Sequence, residues 1–363
     1  MRYLFFFVHP YKFHVFRNTI YGLIYKGHSV DILITSKDVL ENLVKAEGWS
    51  YTNIFPEGRK IEGLSPLLSS GVNFLRTLYR LFKFVRKRKH DLYITDDLLV
   101  YFSKFKKTPS IVFTDDDLSI TKQFALVLAP ATYILAPEIT DLAKYNKKKI
   151  AFDGYKELAY LHPDEFTPDR SVVDKLIAPP KDFFVIRLVS LRAYHDVGMK
   201  GLSNNEVSKL ISILQKHGRV FISSERKLPE ELEHFRLNIE PAQILHFLAF
   251  AKLFIGDSQT MSSEASVLGT FSLRCNDFCG KINVMDEKER YGLMKSYLPS
   301  EFKQLLLDVE EILQSGDHKD IIRKRKEKML SEKINLTKFM IKLFEELPLK
   351  HPNSDKVRSE GSC

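Results

Sequence analysis

Residues Tyr3–Thr35 read YLFFFVHPYKFHVFRNTIYGLIYKGHSVDILIT. The run Tyr3–Val8 is apolar throughout, His9–His14 forms a turn-like HPYKFH, apolar residues then recur at helical spacing as far as Gly27, and Val30–Thr35 is a second apolar run. This is the order strand, helix, strand. Strands that are apolar throughout, rather than alternating, belong in a parallel sheet covered on both faces by crossover helices. Outward from this unit, Leu92–Thr95 and Ser110–Thr114 repeat the short apolar run, each followed by aspartates, and Tyr133–Ala136 adds another.

The pattern breaks at Leu161–Pro168, LHPDEFTP, and again at Pro179-Pro180, which predicts a domain junction. It resumes with strands expected at Phe183–Val189, Val220–Ser223, Leu253–Gly256 and Phe271–Arg274, and helices at Asn205–His217, Pro241–Ala251 and Thr260–Leu268. The chain is therefore expected to be α/β, with doubly wound parallel-sheet domains over 1–160 and 161–330. Residues 331–363 are expected to be a C-terminal helix with a disordered tail from His351.

At 363 residues, with 44% apolar and 28% charged side chains, the chain is long enough for two cores and excludes a collagenous or mainly disordered protein. Three cysteines are too few for a disulfide framework, so a reducing cytoplasm is expected. The longest uncharged stretch, 123–137, holds two prolines and is too short to span a bilayer. Residues 1–150 carry 23 basic and 14 acidic side chains, whereas the remainder is balanced at 32 of each. The whole net charge of +9 thus belongs to the first half.

Open α/β sheets bind ligands at the carboxyl ends of their strands. In the second domain those loops hold Ser190, Arg192 and His195; then Ser223, Ser224 and Glu225; then Asp257, Ser258, Thr260 and Glu264. The sharpest is Phe254–Gly269, FIGDSQTMSSEASVLG, where a strand delivers Asp257 and Ser258 to a helix start. The unpaired N–H groups and positive dipole end there suit a phosphate, the Ser258 and Thr260 hydroxyls add donors, and Glu264 can accept from ribose hydroxyls. The alternative is that Asp257 or Ser258 caps the helix. Arg187 and Arg192 favour an anion, because two guanidinium groups at the end of a neighbouring strand are costly without anions to meet. The glycine fingerprint of dinucleotide folds and the Walker lysine are both missing, which leaves a nucleotide diphosphate as the expected ligand.

The string GDSQTMSSEASVLGT resembles the nucleotide-binding segment of UDP-N-acetylglucosamine 2-epimerases. Together with FVHPYKFHVFRN, FDGYKELAYLHP, VIRLVSLRAYHD and RVFISSERKLP, it resembles an uncharacterised prokaryotic family placed beside these epimerases and the GT-B glycosyltransferases. The resemblance implies a GT-B-like architecture, two Rossmann-like domains facing across a cleft, with the sugar nucleotide on the second and the acceptor on the first. By that likeness Ser258 and the helix start hold the pyrophosphate, Glu264 the ribose, and Arg192 with His195 the phosphate or sugar. The chain departs from the epimerases at His9-Pro10-Tyr11-Lys12, where they have Arg-Pro-Glu, and at Arg192–Asp196, where they have His-Arg-Arg-Glu-Asn. The implied activity is transfer of a sugar from a nucleotide diphosphate donor, expected to be UDP-linked, to a glycan or lipid-linked acceptor in surface polysaccharide assembly, without a metal or other cofactor. An epimerase-like isomerase or hydrolase and a non-catalytic nucleotide-sugar-binding protein are the alternatives.

For catalysis the candidates are His14 and His9, either of which could deprotonate an acceptor hydroxyl, or could instead cap a helix or satisfy a carbonyl. Asp115 and Asp117 are secondary candidates for a base or an acceptor contact, the Asp115–Asp117 run being otherwise a solvated loop. The helix over 74–89, FLRTLYRLFKFVRKRK, places Phe74, Leu75, Leu78, Leu81, Phe82 and Val85 on one face beside seven basic residues. It suits either a core-packed crossover or peripheral contact with an anionic membrane at the inner face. No helix-turn-helix, zinc pattern or RNA-stacking motif accompanies the charge, so nucleic acid is not an expected partner.

Overall fold

The computed structural model describes residues 1–37, 39–59, 66–177, 182–190 and 200–350. They form two compact units, Met1–Tyr160 together with the chain from Ile334 onward, and Leu161–Lys333. The first is built on seven parallel strands, β1 (Arg2–Phe7), β2 (Ser29–Ile34), β3 (Thr52–Asn53), β4 (Leu92–Thr95), β5 (Ser110–Phe113), β6 (Tyr133–Pro137) and β7 (Lys149–Phe152), in the order β3-β2-β1-β4-β5-β6-β7. The register Tyr3↔Val30 and Tyr3↔Leu92 makes β1 central, and Tyr3–Phe7 are almost wholly buried. The unbroken apolar run of β1 therefore reflects helices on both faces.

The second unit carries five parallel strands, β8 (Phe183–Leu188), β9 (Arg219–Ser224), β10 (Leu253–Gly256), β11 (Ser272–Cys275) and β12 (Met294–Tyr297), in the order β12-β11-β10-β8-β9. Both units are doubly wound α/β folds. Each sheet reverses its strand order once, at β1/β4 in the first and at β8/β10 in the second. A reversal leaves a crevice outside the carboxyl ends of the two strands, which is where the loops of interest emerge.

The helix Leu336–Lys350 returns to the first unit. Its Phe344 ring lies 6.3 Å from both Phe5 and Phe16, and Thr337 Oγ1 donates to the Ala159 carbonyl at 2.7 Å. A side chain at Gly22 would place Cβ only 2.2 Å from Ile341 Cδ1, so the tip of Ile341 packs over the bare backbone of Gly22 on the helix Pro10–Tyr25.

The basic helix begins earlier than its sequence pattern suggests, spanning Pro66–Val85. It has two apolar faces rather than one. Thr77, Leu81 and Val85 are buried, and Phe74 and Leu78 pack against the core formed with Leu4, Phe6, Tyr93 and Leu99. Leu75 and Phe82, expected on that same face, are instead exposed, along with Leu68, Val72 and Tyr79.

Candidate functional site

In the second unit, adjacency of β8, β9 and β10 gathers Arg187, Ser190, Ser223, Ser224, Glu225, Asp257 and Ser258 at one sheet end. Arg187 finds its anion internally. Its Nη1 donates to Ser223 Oγ at 2.8 Å and its Nη2 pairs with Glu225, whose other oxygen accepts from the Ser190 amide at 3.2 Å. Ser224 Oγ donates to the Arg226 carbonyl at 2.7 Å and accepts from the Arg226 amide.

Asp257 is a loop anchor. Its Oδ1 accepts from the Val189 amide at 2.7 Å, its backbone carbonyl accepts from Asn276 Nδ2, and Arg226 stands 3.9 Å away. Burial pushes its carboxyl up to about 6, against the pull of the Val189 hydrogen bond and Arg226. A Cβ on Gly201 would fall 2.5 Å from Asp257 Oδ2, so the loop returns to the carboxylate where only glycine fits.

Ser258 is the N-cap of the helix Gln259–Leu268, its Oγ accepting from the Met261 amide at 3.3 Å. Its hydroxyl hydrogen remains available to donate. The amides of Gln259 and Thr260 precede the first intrahelical bond and carry the positive end of the dipole. Thr260 is exposed, and Glu264 is buried at 8% exposure. Arg192 and His195 lie outside the described residues.

In the first unit the four catalytic candidates are held differently from one another. His9 occupies the N-cap position of Pro10–Tyr25 without capping it, and Lys37 Nζ lies 2.8 Å from its Nδ1. His14 sits half-buried on that helix with its ring 5.7 Å from Tyr160. Burial, helped by Arg17, lowers its imidazole to about 4, which leaves it a weak base. Asp115 pairs with Lys156 at 2.8 Å, and Asp117 Oδ1 accepts from the Asp141 amide at 2.7 Å, tying down the loop after β5. Among the described residues, no three His, Cys, Asp or Glu side chains are grouped so as to hold a metal ion.

The residues that sequence reasoning missed lie at the β1/β4 reversal. Lys12, in the first turn after β1, is buried at 1% exposure and donates to the Phe113 carbonyl at 2.5 Å. Burial lowers its ammonium while Asp96 and Asp115 oppose that shift. Asp96 follows β4, and its Oδ1 is shielded from solvent without a hydrogen-bond partner. Burial raises its carboxyl to about 6, Lys12 pulling it down and Asp97 pushing it up. Lys12 and Lys156 both lie over the Tyr11 ring, at 4.8 and 5.1 Å. Burial, then Asp96, Asp115 and Asp116, raise the Tyr11 phenol well above its ordinary value. The one signal in the sequence was the recurrence of aspartates after β4 and after β5. The arrangement offers a carboxyl raised to about 6 in the field of an ammonium, a pairing suited to proton transfer.

No family model matches the chain and no curated protein matches it in sequence, so the resemblance to an uncharacterised family gains no support. Solved structures share its fold. The UDP-GlcNAc 2-epimerase from Neisseria meningitidis bound to UDP-GlcNAc is 12% identical with a TM-score of 0.67, over 95% of this chain and 100% of that one. The UDP-GlcNAc 2-epimerase from Methanocaldococcus jannaschii is 14% identical with a TM-score of 0.62, over 89% and 98%. The spinosyn forosaminyltransferase SpnP is 14% identical with a TM-score of 0.62, over 96% and 100%. The fold is thus the two-domain α/β fold common to glycosyltransferases and UDP-GlcNAc 2-epimerases.

Proposed function

We infer that the protein is a glycosyltransferase that moves a sugar from a nucleotide diphosphate, UDP-linked, to a hydroxyl of a glycan or lipid-linked acceptor in surface polysaccharide assembly. The observation that carries this reading is half-buried Asp96, whose carboxyl is pushed up to about 6 and whose Oδ1 is shielded without a hydrogen-bond partner, in the field of the Lys12 ammonium. As a carboxylate, Asp96 takes the acceptor hydroxyl proton, the freed oxygen attacks the anomeric carbon, and the bond to the nucleotide breaks with its electron pair on the β-phosphate. The second unit supplies the grip on the donor. The amides of Gln259 and Thr260 with the Ser258 hydroxyl hold the pyrophosphate, and Glu264 accepts from the ribose.

A second reading, isomerisation of the 2-epimerase type, is favoured by the presence of both Asp96 and Asp115 near Lys12, since removing and returning a C2 proton needs more than one proton carrier. Incubation with UDP-GlcNAc, with and without a glycan acceptor, separates the readings. Acceptor-dependent UDP release supports transfer, acceptor-independent formation of the C2 epimer supports isomerisation, and binding without turnover leaves a nucleotide-sugar-binding protein.

Donor binding is tested at Glu264. Glu264→Ala is expected to weaken UDP binding by about 1.5–3 kcal/mol in calorimetry, the range for a hydrogen bond to a charged group. Equal affinity of variant and parent would remove the ribose role.

A further inference from the structure

We propose that the outer face of the helix Pro66–Val85, continued by Tyr101, Phe105 and Leu126, docks the first unit on an anionic lipid bilayer. At 100° per residue, Leu68, Val72, Leu75, Tyr79 and Phe82 fall within an arc of about 80°. That arc points away from the buried face of Thr77, Leu81 and Val85. Leu75, Tyr79 and Phe105 are each 68% exposed and Leu126 is 61% exposed.

The apolar surface is continuous across elements. Phe82 and Phe105 have ring centroids 6.2 Å apart, which joins the helix to Phe102–Lys106, and Tyr101, one turn before Phe105, donates its Oη to the Leu126 carbonyl at 3.0 Å. A connected patch of large apolar side chains on the surface marks a contact site, whereas single exposed ones do not.

Charge identifies the occupant. The segments 66–90, 98–109 and 121–133, which build this face, hold eleven Lys and Arg and no Asp or Glu. Arg76 and Arg80 are met by Glu57 at 2.6 Å, and Lys83, Arg86, Lys87, Lys104 and Lys107 are exposed. A second copy of the chain would set this charge against itself. An anionic bilayer instead takes apolar and aromatic side chains at the level of its headgroups and neutralises the cations around them. The inference does not rest on glycosyl transfer, and its test needs no donor.

The full chain is sedimented with phosphatidylcholine vesicles with and without phosphatidylglycerol, at about 50 and about 500 mM salt, where screening differs severalfold. The parent should bind the phosphatidylglycerol vesicles at low salt and be released in large part, though not wholly, at high salt, because screening removes only the ionic share. Lys83→Gln/Arg86→Gln/Lys87→Gln should lower partition by about 100-fold, from three charges near the surface. Leu75→Ser/Tyr79→Ser/Phe105→Ser should abolish the binding that salt leaves behind. All six positions are exposed, and an unchanged circular dichroism spectrum checks that the fold is retained. Equal sedimentation with both vesicle types, or of parent and both variants, overturns the proposal. So does light scattering that shows a dimer dispersed by the apolar variant, because the face would then serve self-association.

Discussion

Asp96→Asn is expected to lower turnover by about a hundredfold to ten-thousandfold while leaving UDP affinity unchanged, because the variant keeps the shape and loses the base. The pH profile gives a second readout. Asp96 acts as a base only when deprotonated, so kcat/KM of the parent should rise through about pH 6 and the variant should lose that limb. Stability should move the opposite way to activity. A carboxyl raised to about 6 when folded, from about 3.9 unfolded, binds its proton more tightly in the folded state. Its contribution therefore declines as pH rises from about 4 to about 6 and stays unfavourable above. Asparagine removes that cost, and the variant should gain about 1–2 kcal/mol at pH 7–8. Unchanged turnover would eliminate Asp96 as the base, and a loss of stability would make it a structural partner of Lys12.

The largest effect on stability is expected at Phe344, on the helix that returns from the second unit to the first. Its ring is fully buried against Phe5 and Phe16, and Tyr3 Oη donates to its carbonyl at 3.3 Å. Phe344→Ala should cost about 3–5 kcal/mol, from lost transfer free energy and the cavity left behind. Hydrogen exchange of the β1 amides reads this within the first unit, where a fall in protection of roughly 100-fold or more is expected. Tyr25→Ala, at a side chain 93% exposed, is the control and should change little. Unaltered β1 protection in Phe344→Ala would mean that the helix is dispensable to this core.

The central strands were readable because burial on both faces demands an unbroken apolar run, as in Tyr3–Phe7 and Leu253–Gly256. The strands that escaped reading, β3, β7 and β12, are at sheet edges, where TN and MKSY keep polar residues beside solvent and KIAF, short and entered from a run of lysines, leaves Ala151 exposed. Ser258 and Asp257 were legible as a loop at a helix start, but their division of labour was not. Whether Asp257 meets a ligand or the Val189 amide depends on a strand 68 residues away in the chain.

Local sequence thus determined two doubly wound α/β domains, the polar loops at their strand ends and the concentration of positive charge in the first, because each is a property of neighbouring residues and their period. Tertiary structure alone decided which charges meet. Arg187 acquires Glu225 from β9's end, and Asp96 comes into the field of Lys12 because β4 pairs with β1, Tyr3 lying opposite Leu92. It also decided that Leu75, Tyr79 and Phe82 face solvent, since a helix apolar on two sides carries no mark of which side the sheet will cover. Strand order selects the partners of a charge and the covered face of a helix, and strand order is set by packing over distances that no local pattern encodes.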